Sequence, residues 1–261
     1  MKNLDLLEQW YKKVCVPDFI ESDPVQFAHR YKKRQDIEIA AFLSATIAWG
    51  RRDIILKSAE KMFALMGKSP FDYIMSGEYK KLKGSRPCKC IHRTFFENDL
   101  KYFCRGFAHC YIKYGNLENL FESQKIINHG GTQSNKNINY YIWNGINLFR
   151  NEMAIANKGE YSIHIANPGT EEKNGSACKR LNLALRWLIR PGPVDLGLWK
   201  KIKPSALYIP LDVHVARSAR KLKLLKRNSN DKKAVIELTE NLRIFDSQDP
   251  VKYDFALFGA G

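Results

Sequence analysis

Three short pairs punctuate the chain: Asp23-Pro24, Ser69-Pro70 and Asp249-Pro250. In each, a side chain able to accept from free backbone N–H groups precedes a proline. Proline's fixed φ and missing N–H suit the first position of a helix. Apolar residues elsewhere recur at three- and four-residue spacing, and no stretch alternates convincingly as a half-buried strand would. The pattern predicts helices over 3–13, 24–33, 36–48, 53–66, 70–76, 95–114, 139–156, 177–190, 212–223, 231–244 and 250–259. Polar, glycine-containing stretches at 128–137 and 167–175 read as loops, and 190–210 reads as a long connection broken by prolines. The expected class is all-α.

A chain of 261 residues is long enough for a substantial core. It is expected to form one all-α domain of two lobes, approximately 1–160 and 161–261, with a cleft between them as the default site. No run approaches the roughly 18 apolar residues of a membrane span. The amphipathic, charged start "MKNLDLLEQWYKK" has no signal-peptide core. Six irregularly spaced cysteines point to reduced thiols and a cytoplasmic home.

Charge narrows the partner. The formal net charge is +16, and residues 178–227 hold thirteen basic residues against only Asp195 and Asp212. So concentrated an excess suits a polyanion, most simply nucleic acid. Within it, the helix at 177–190 is apolar over most of its circumference. Its cations Lys179, Arg186 and Arg190 fall with Asn182 in a narrow stripe. Neighbouring cations and partial burial both favour the neutral amine, so Lys179 is a candidate nucleophile. Asp212 follows Pro210 and opens the next helix, where it reads as an N-cap. A carboxylate held by free N–H groups stays ionised, and can stabilise a developing cation or move a proton.

These residues carry a resemblance. "IPLDVHVAR" at 209–217 resembles the aspartate-bearing segment of the helix-hairpin-helix DNA glycosylase superfamily, nearest its archaeal 8-oxoguanine DNA glycosylase branch. Lys179 precedes Asp212 by 33 residues, close to that branch's spacing. The similarity covers roughly 36–66 and 177–261. The whole chain also resembles a bacterial family of uncharacterised helical proteins, in which segments like "SACKRLNLALRWLIR" and "DPVKYDFALFGAG" recur. The resemblance implies a two-lobed glycosylase-like fold and a monomer acting on damaged double-stranded DNA in the bacterial cytosol. The implied activity is base excision with AP-lyase cleavage: Lys179 attacks C1′, Asp212 assists, and no metal or cofactor takes part. Asp254 and Phe258 would line the base pocket, and their chemistry suits an oxidised guanine. The chain departs from the superfamily in two places. "NPGTEEKNGSACK" is longer than the usual tight turn, and Trp49, Gly50, Arg51 and Arg52 stand where many relatives carry a glutamine or asparagine wedge.

Further DNA contacts are expected from Trp49 as an intercalating wedge, and from Arg51, Arg52, Arg186, Arg217, Arg220 and Lys221 toward phosphates. Cys88, Cys90, His92, Cys104, His109 and Cys110 are types that bind zinc, but their spacings do not make a metal site. The alternative function is a non-catalytic DNA- or RNA-binding protein on the same scaffold.

Overall fold

The computed structural model describes residues 2–85, 87–127, 141–170 and 173–259. The loop expected at 128–137, and the first two residues of the helix expected at 139–156, lie outside this range. Among the described residues the chain is mostly helical: α1 (Lys2–Val14), α2 (Phe19–Ser22), α3 (Gln26–His29), α4 (Arg34–Thr46), α5 (Arg52–Met66), α6 (Pro70–Met75), α7 (Glu97–Tyr114), α8 (Leu117–Ile127), α9 (Tyr141–Ala156), α10 (Lys179–Ile189), α11 (Val213–Lys221), α12 (Lys232–Arg243) and α13 (Tyr253–Gly259).

Most of these match the expected periodicity, and the differences have physical reasons. Asp23 does satisfy a free N–H, accepting from Val25 N at 3.0 Å, but only four helical residues follow before the chain extends at Lys33. The helix expected from 95 starts at Glu97. Phe95 and Phe96 instead form a strand, β2, paired antiparallel with β1 (Cys90–His92). Two-residue pairing is too short to leave an alternating signature. Helix α8 carried a readable one: Asn116 accepts from Asn119 N at 2.8 Å, and Leu117, Leu120 and Phe121 are buried at helical spacing.

A single buried apolar cluster runs from Leu7 to Leu257. Helix α1 packs on α13, with Tyr253 Oη donating to Glu8 at 2.8 Å, so the N-terminal helix completes the C-terminal half. A division at residue 160 therefore separates two helices that need each other's apolar faces. Helices α7, α8 and α9 pack together, and α4 bridges the halves by packing on α3, α6 and α10.

Helix α4 is buried on nearly all sides, so its polar groups need partners inside. Glu38 is fully buried and accepts from Arg34 Nε (3.1 Å), Tyr111 Oη (3.0 Å), Leu117 N (3.2 Å) and Trp199 Nε1 (2.8 Å). One carboxylate thus ties α4 to α7, to the start of α8 and to the 190–210 connection. Glu38→Ala would leave the Trp199 and Leu117 donors buried and unpaired. We expect a loss of about 2–5 kcal/mol in urea unfolding, from roughly 1–3 kcal/mol for each buried donor left without an acceptor; Arg34 keeps Glu118 as its partner.

Candidate functional site

Lys179 is the first residue of α10. The chain reaches it through Cys178, whose φ of +47° is a left-handed conformation that non-glycine residues rarely adopt. The hairpin before it closes through Ser176 N to Asn167 O and Thr170 N to Lys173 O, each 2.9 Å. It docks on the start of α12, where Lys232 N donates to Gly175 O at 2.9 Å. The half-buried Lys179 side chain reaches back to the loop after α4 and donates to Ala48 O at 3.3 Å.

Asp212 caps α11 as expected. Its Oδ1 accepts from His214 N and Val215 N, both at 2.9 Å. Lys179 and Asp212 line one cleft of about 800 Å³, together with Asp23, Trp49, Arg52 and Phe258. An inner recess of about 50 Å³ opens beside them, walled by Asp23, Lys179, Arg186, Asp212, Asp254 and Phe258 among others. Residues 33 and 42 positions apart in sequence, Lys179, Asp212 and Asp254, therefore meet at one place.

The charges there are strongly perturbed. Burial depresses the Lys179 pKa below the ordinary lysine value, Asp212, Asp254 and Asp23 oppose that shift, and Arg186 adds to it. Burial pushes Asp254 up to about 7 despite Arg186 beside it. Burial also raises Asp23, against the Val25 N–H and the cations Arg186, Arg52 and Lys179. Asp254 Oδ2 accepts from Arg186, while Oδ1 has no hydrogen-bond partner in the fold. Asp254 is 6% exposed, so that orphaned oxygen lacks ready solvation by bulk water.

The cationic stripe of α10 is not a phosphate-binding face. Arg186 and Arg190 are 4% and 2% exposed. Arg186 pairs with Asp195 (3.3 Å) and Asp254, and Arg190 pairs with Asp195 (3.0 Å) and Asp249 (2.8 Å). The C-terminal half of α10 crosses the core, so these two cations meet carboxylates rather than water. Among the stripe's cations Arg186 adds to the lowering of Lys179, and burial is the larger cause.

Other expected contacts divide similarly. Arg220 is spent inside the fold, donating to Arg227 O (2.9 Å), Asn228 O (2.8 Å) and Asn230 Oδ1 (2.6 Å). The Trp49 ring is half-buried, stacked on His164 at 5.7 Å, edge-on to His92 at 4.6 Å, and covered by the Arg180 guanidinium at 5.1 Å. A ring so engaged is not a free wedge. Arg52 lies over Phe258 at 5.3 Å, at the cleft wall. Arg51 is exposed and pairs with Asp53 at 2.9 Å, while Arg217 and Lys221 are exposed on α11.

Asp23 is the site residue that sequence reasoning missed. Its position before Pro24 signalled a cap, and nothing local signalled that the cap faces Lys179. Of the possible zinc ligands, Cys104 and Cys110 are buried in α7. His92 is held by Ser58 Oγ (3.0 Å) and Trp49 O (2.9 Å). Among the described residues no three His, Cys, Asp or Glu side chains converge as a metal site, and no helix is long and apolar enough to cross a membrane.

A family model described as a protein of unknown function, DUF2400, matches residues 23–261. The chain belongs to the DUF2400 family. The matched span begins at Asp23 and so takes in the cleft residues Lys179, Asp212, Asp254 and Phe258, leaving α1 and α2 outside. No curated protein and no solved structure matched this DUF2400 chain.

The electrostatics of the cleft can be tested without a substrate. Asp212 is the carboxylate that most opposes the depression of Lys179. Asp212→Asn should therefore lower the Lys179 pKa further, while preserving the cap and the folding stability, since Asn caps about as well as Asp. NMR titration of isotopically methylated lysines checks the shift. A Lys179 pKa that rises or stays put in Asp212→Asn would contradict this arrangement.

Proposed function

We propose that the chain is a DNA glycosylase with AP-lyase activity, using Lys179 as the nucleophile. The observation that carries this reading is a single one. A half-buried lysine of lowered pKa shares a cleft with an aspartate held by two backbone N–H groups, and the recess beside them is walled by a buried aspartate whose second oxygen is unpartnered. Cationic and apolar groups around the cleft fit a nucleotide drawn from duplex DNA.

In this mechanism the neutral Lys179 amine attacks C1′, and the C1′–N bond breaks with its electron pair leaving on the base, which is then protonated. The sugar ring opens as an iminium Schiff base forms between Nζ and C1′. Loss of a C2′ proton expels the 3′ phosphate and nicks the strand. Asp212 stabilises the positive charge as the glycosidic bond breaks and takes up the amine's proton. Its two backbone N–H bonds fix its position for that role. No step calls for a metal or cofactor.

The base reading is an oxidised guanine. The recess is too small for a whole purine, so the ring lies in the larger cleft and presents only its edge to Asp254. Ionised Asp254 accepts hydrogen bonds and cannot donate. Guanine and 8-oxoguanine offer paired N1–H and N2–H donors, which adenine and uracil lack. Phe258, four residues on, supplies an apolar wall.

Borohydride trapping on 8-oxoguanine and abasic-site duplexes is the direct test. Wild type should form a covalent adduct and Lys179→Gln none, with the fold unchanged by circular dichroism. Trapping by the glutamine variant would move the nucleophile elsewhere, and no trapping by wild type on any lesion would favour the non-catalytic nucleic-acid binder.

The pH dependence has a defined sign. With the Asp254 pKa raised to about 7, its acceptor form is lost as pH falls through that value. The ratio of 8-oxoguanine excision to lyase activity on a preformed abasic site should rise as pH increases through about 7. Asp254→Asn should abolish that step. On the DNA side, replacing Arg217 and Lys221 with alanine should flatten the log–log salt dependence of duplex binding by ~0.9 for each phosphate that the variant no longer neutralises.

A further inference from the structure

Ten large apolar side chains are exposed among the described residues, and two of them, Ile163 and Val213, line the cleft. Ile163 is 77% exposed and Val213 is 63% exposed. Ile163 sits in a turn that is fixed from within. Ser162 Oγ accepts from His164 N at 3.1 Å, and Ile165 N donates to Ser162 O at 3.2 Å. His164 and Ile165 are buried, His164 stacking on Trp49 and meeting Phe95 edge-on at 5.1 Å. The neighbours that follow are thus anchored in the core, and Ile163 is held out into solvent at the mouth.

Cations share the cleft with this apolar tip. Arg52 and Arg180 line the same cleft, and Arg217 stands exposed one helical turn after Val213. A protein or lipid partner would call for a broad contiguous apolar patch. Isolated apolar tips among cations suit duplex DNA instead, where the aliphatic group meets base faces and the cations meet phosphates. The aromatic candidate Trp49 is already engaged by His164, His92 and Arg180.

We propose that Ile163 enters the base stack of duplex DNA and occupies the place of the nucleotide drawn into the cleft, with Val213 as a second apolar contact at the mouth. This rests on the reading of the cleft as a nucleotide-extruding site, but not on its chemistry. It assigns Ile163 as a positioning residue that acts on the helix around the target rather than on the target itself.

The experiment uses the full chain carrying Lys179→Gln, which suppresses covalent chemistry, and a duplex with pyrrolocytosine opposite 8-oxoguanine. Pyrrolocytosine brightens when its partner leaves the stack. The Ile163-intact protein should brighten it. Adding Ile163→Ala should cut the amplitude by about tenfold or more, since unstacking is no longer offset by the inserted side chain. Ile163→Leu should restore it, with every amplitude read at saturating protein, since weaker extrusion also weakens duplex binding by linkage. With Lys179 present, Ile163→Ala should slow excision from duplex but not from single-stranded 8-oxoguanine DNA.

Equal brightening without Ile163, no brightening by the intact protein, or an equal excision loss on single strands would each overturn the assignment. Borohydride trapping by wild type separates the two readings. Trapping with brightening that ignores Ile163 keeps the enzyme and removes the wedge. Ile163-dependent brightening without trapping keeps the wedge and removes the lyase.

Discussion

The structure depends on burying α10, a helix that carries Arg186 and Arg190 into the core. An uncompensated buried cation would cost several kcal/mol, so each guanidinium must meet carboxylates in the interior. Asp195 serves both, Asp249 serves Arg190, and Asp254 serves Arg186. These acids come from the 190–210 connection and from the C-terminal end, so charge neutralisation binds α10, α13 and the intervening chain into one unit. Tyr11 Oη accepts from Arg190 Nη2 at 2.6 Å and brings α1 into the same network.

That network also shapes the cleft. Asp254 is fixed on one oxygen by Arg186 and left open on the other, which is a poor arrangement for stability and a good one for ligand recognition. Lys179, at the N-terminal end of the same helix, has no salt bridge among the described residues, and its closest hydrogen-bond acceptor is a backbone carbonyl. Burial therefore outweighs the more distant Asp212, Asp254 and Asp23, and the amine is shifted toward its neutral form. Arg186 and Arg190 are neutralised by ion pairs, whereas Lys179 is held beside carboxylates without an ion pair to them.

The surface charge reads differently once these pairs are removed. Much of the basic excess in 178–227 is internal or committed: Arg186 and Arg190 to aspartates, Arg220 to a loop, Arg227 to Asp231 at 2.5 Å and Lys201 to Glu122 at 2.6 Å. The cations at or near the cleft, Arg52, Arg180 and Arg217, are fewer than the sequence suggests. A DNA interface would be correspondingly local to the cleft, with the exposed apolar tips of Ile163 and Val213 at its mouth.

Local interactions made much of the fold legible. Helix starts such as Ser69 before Pro70, Asp212 before α11 and Asp231 before α12 are written in adjacent residues, because capping acts over two or three positions. The all-α class follows from apolar spacing along single helices, and the candidates Lys179, Asp212, Asp254 and Phe258 could be named individually. Their meeting in one cleft was not readable from spacing, nor was the presence of Asp23 among them, since those depend on which helices pack together. The same limit hid the fate of the α10 stripe. A helical wheel gives the angle of Arg186 and Arg190 but not whether water or Asp195, Asp249 and Asp254 lies outside them. Only tertiary packing decides that, because the free energy of a buried charge is set by partners distant in sequence.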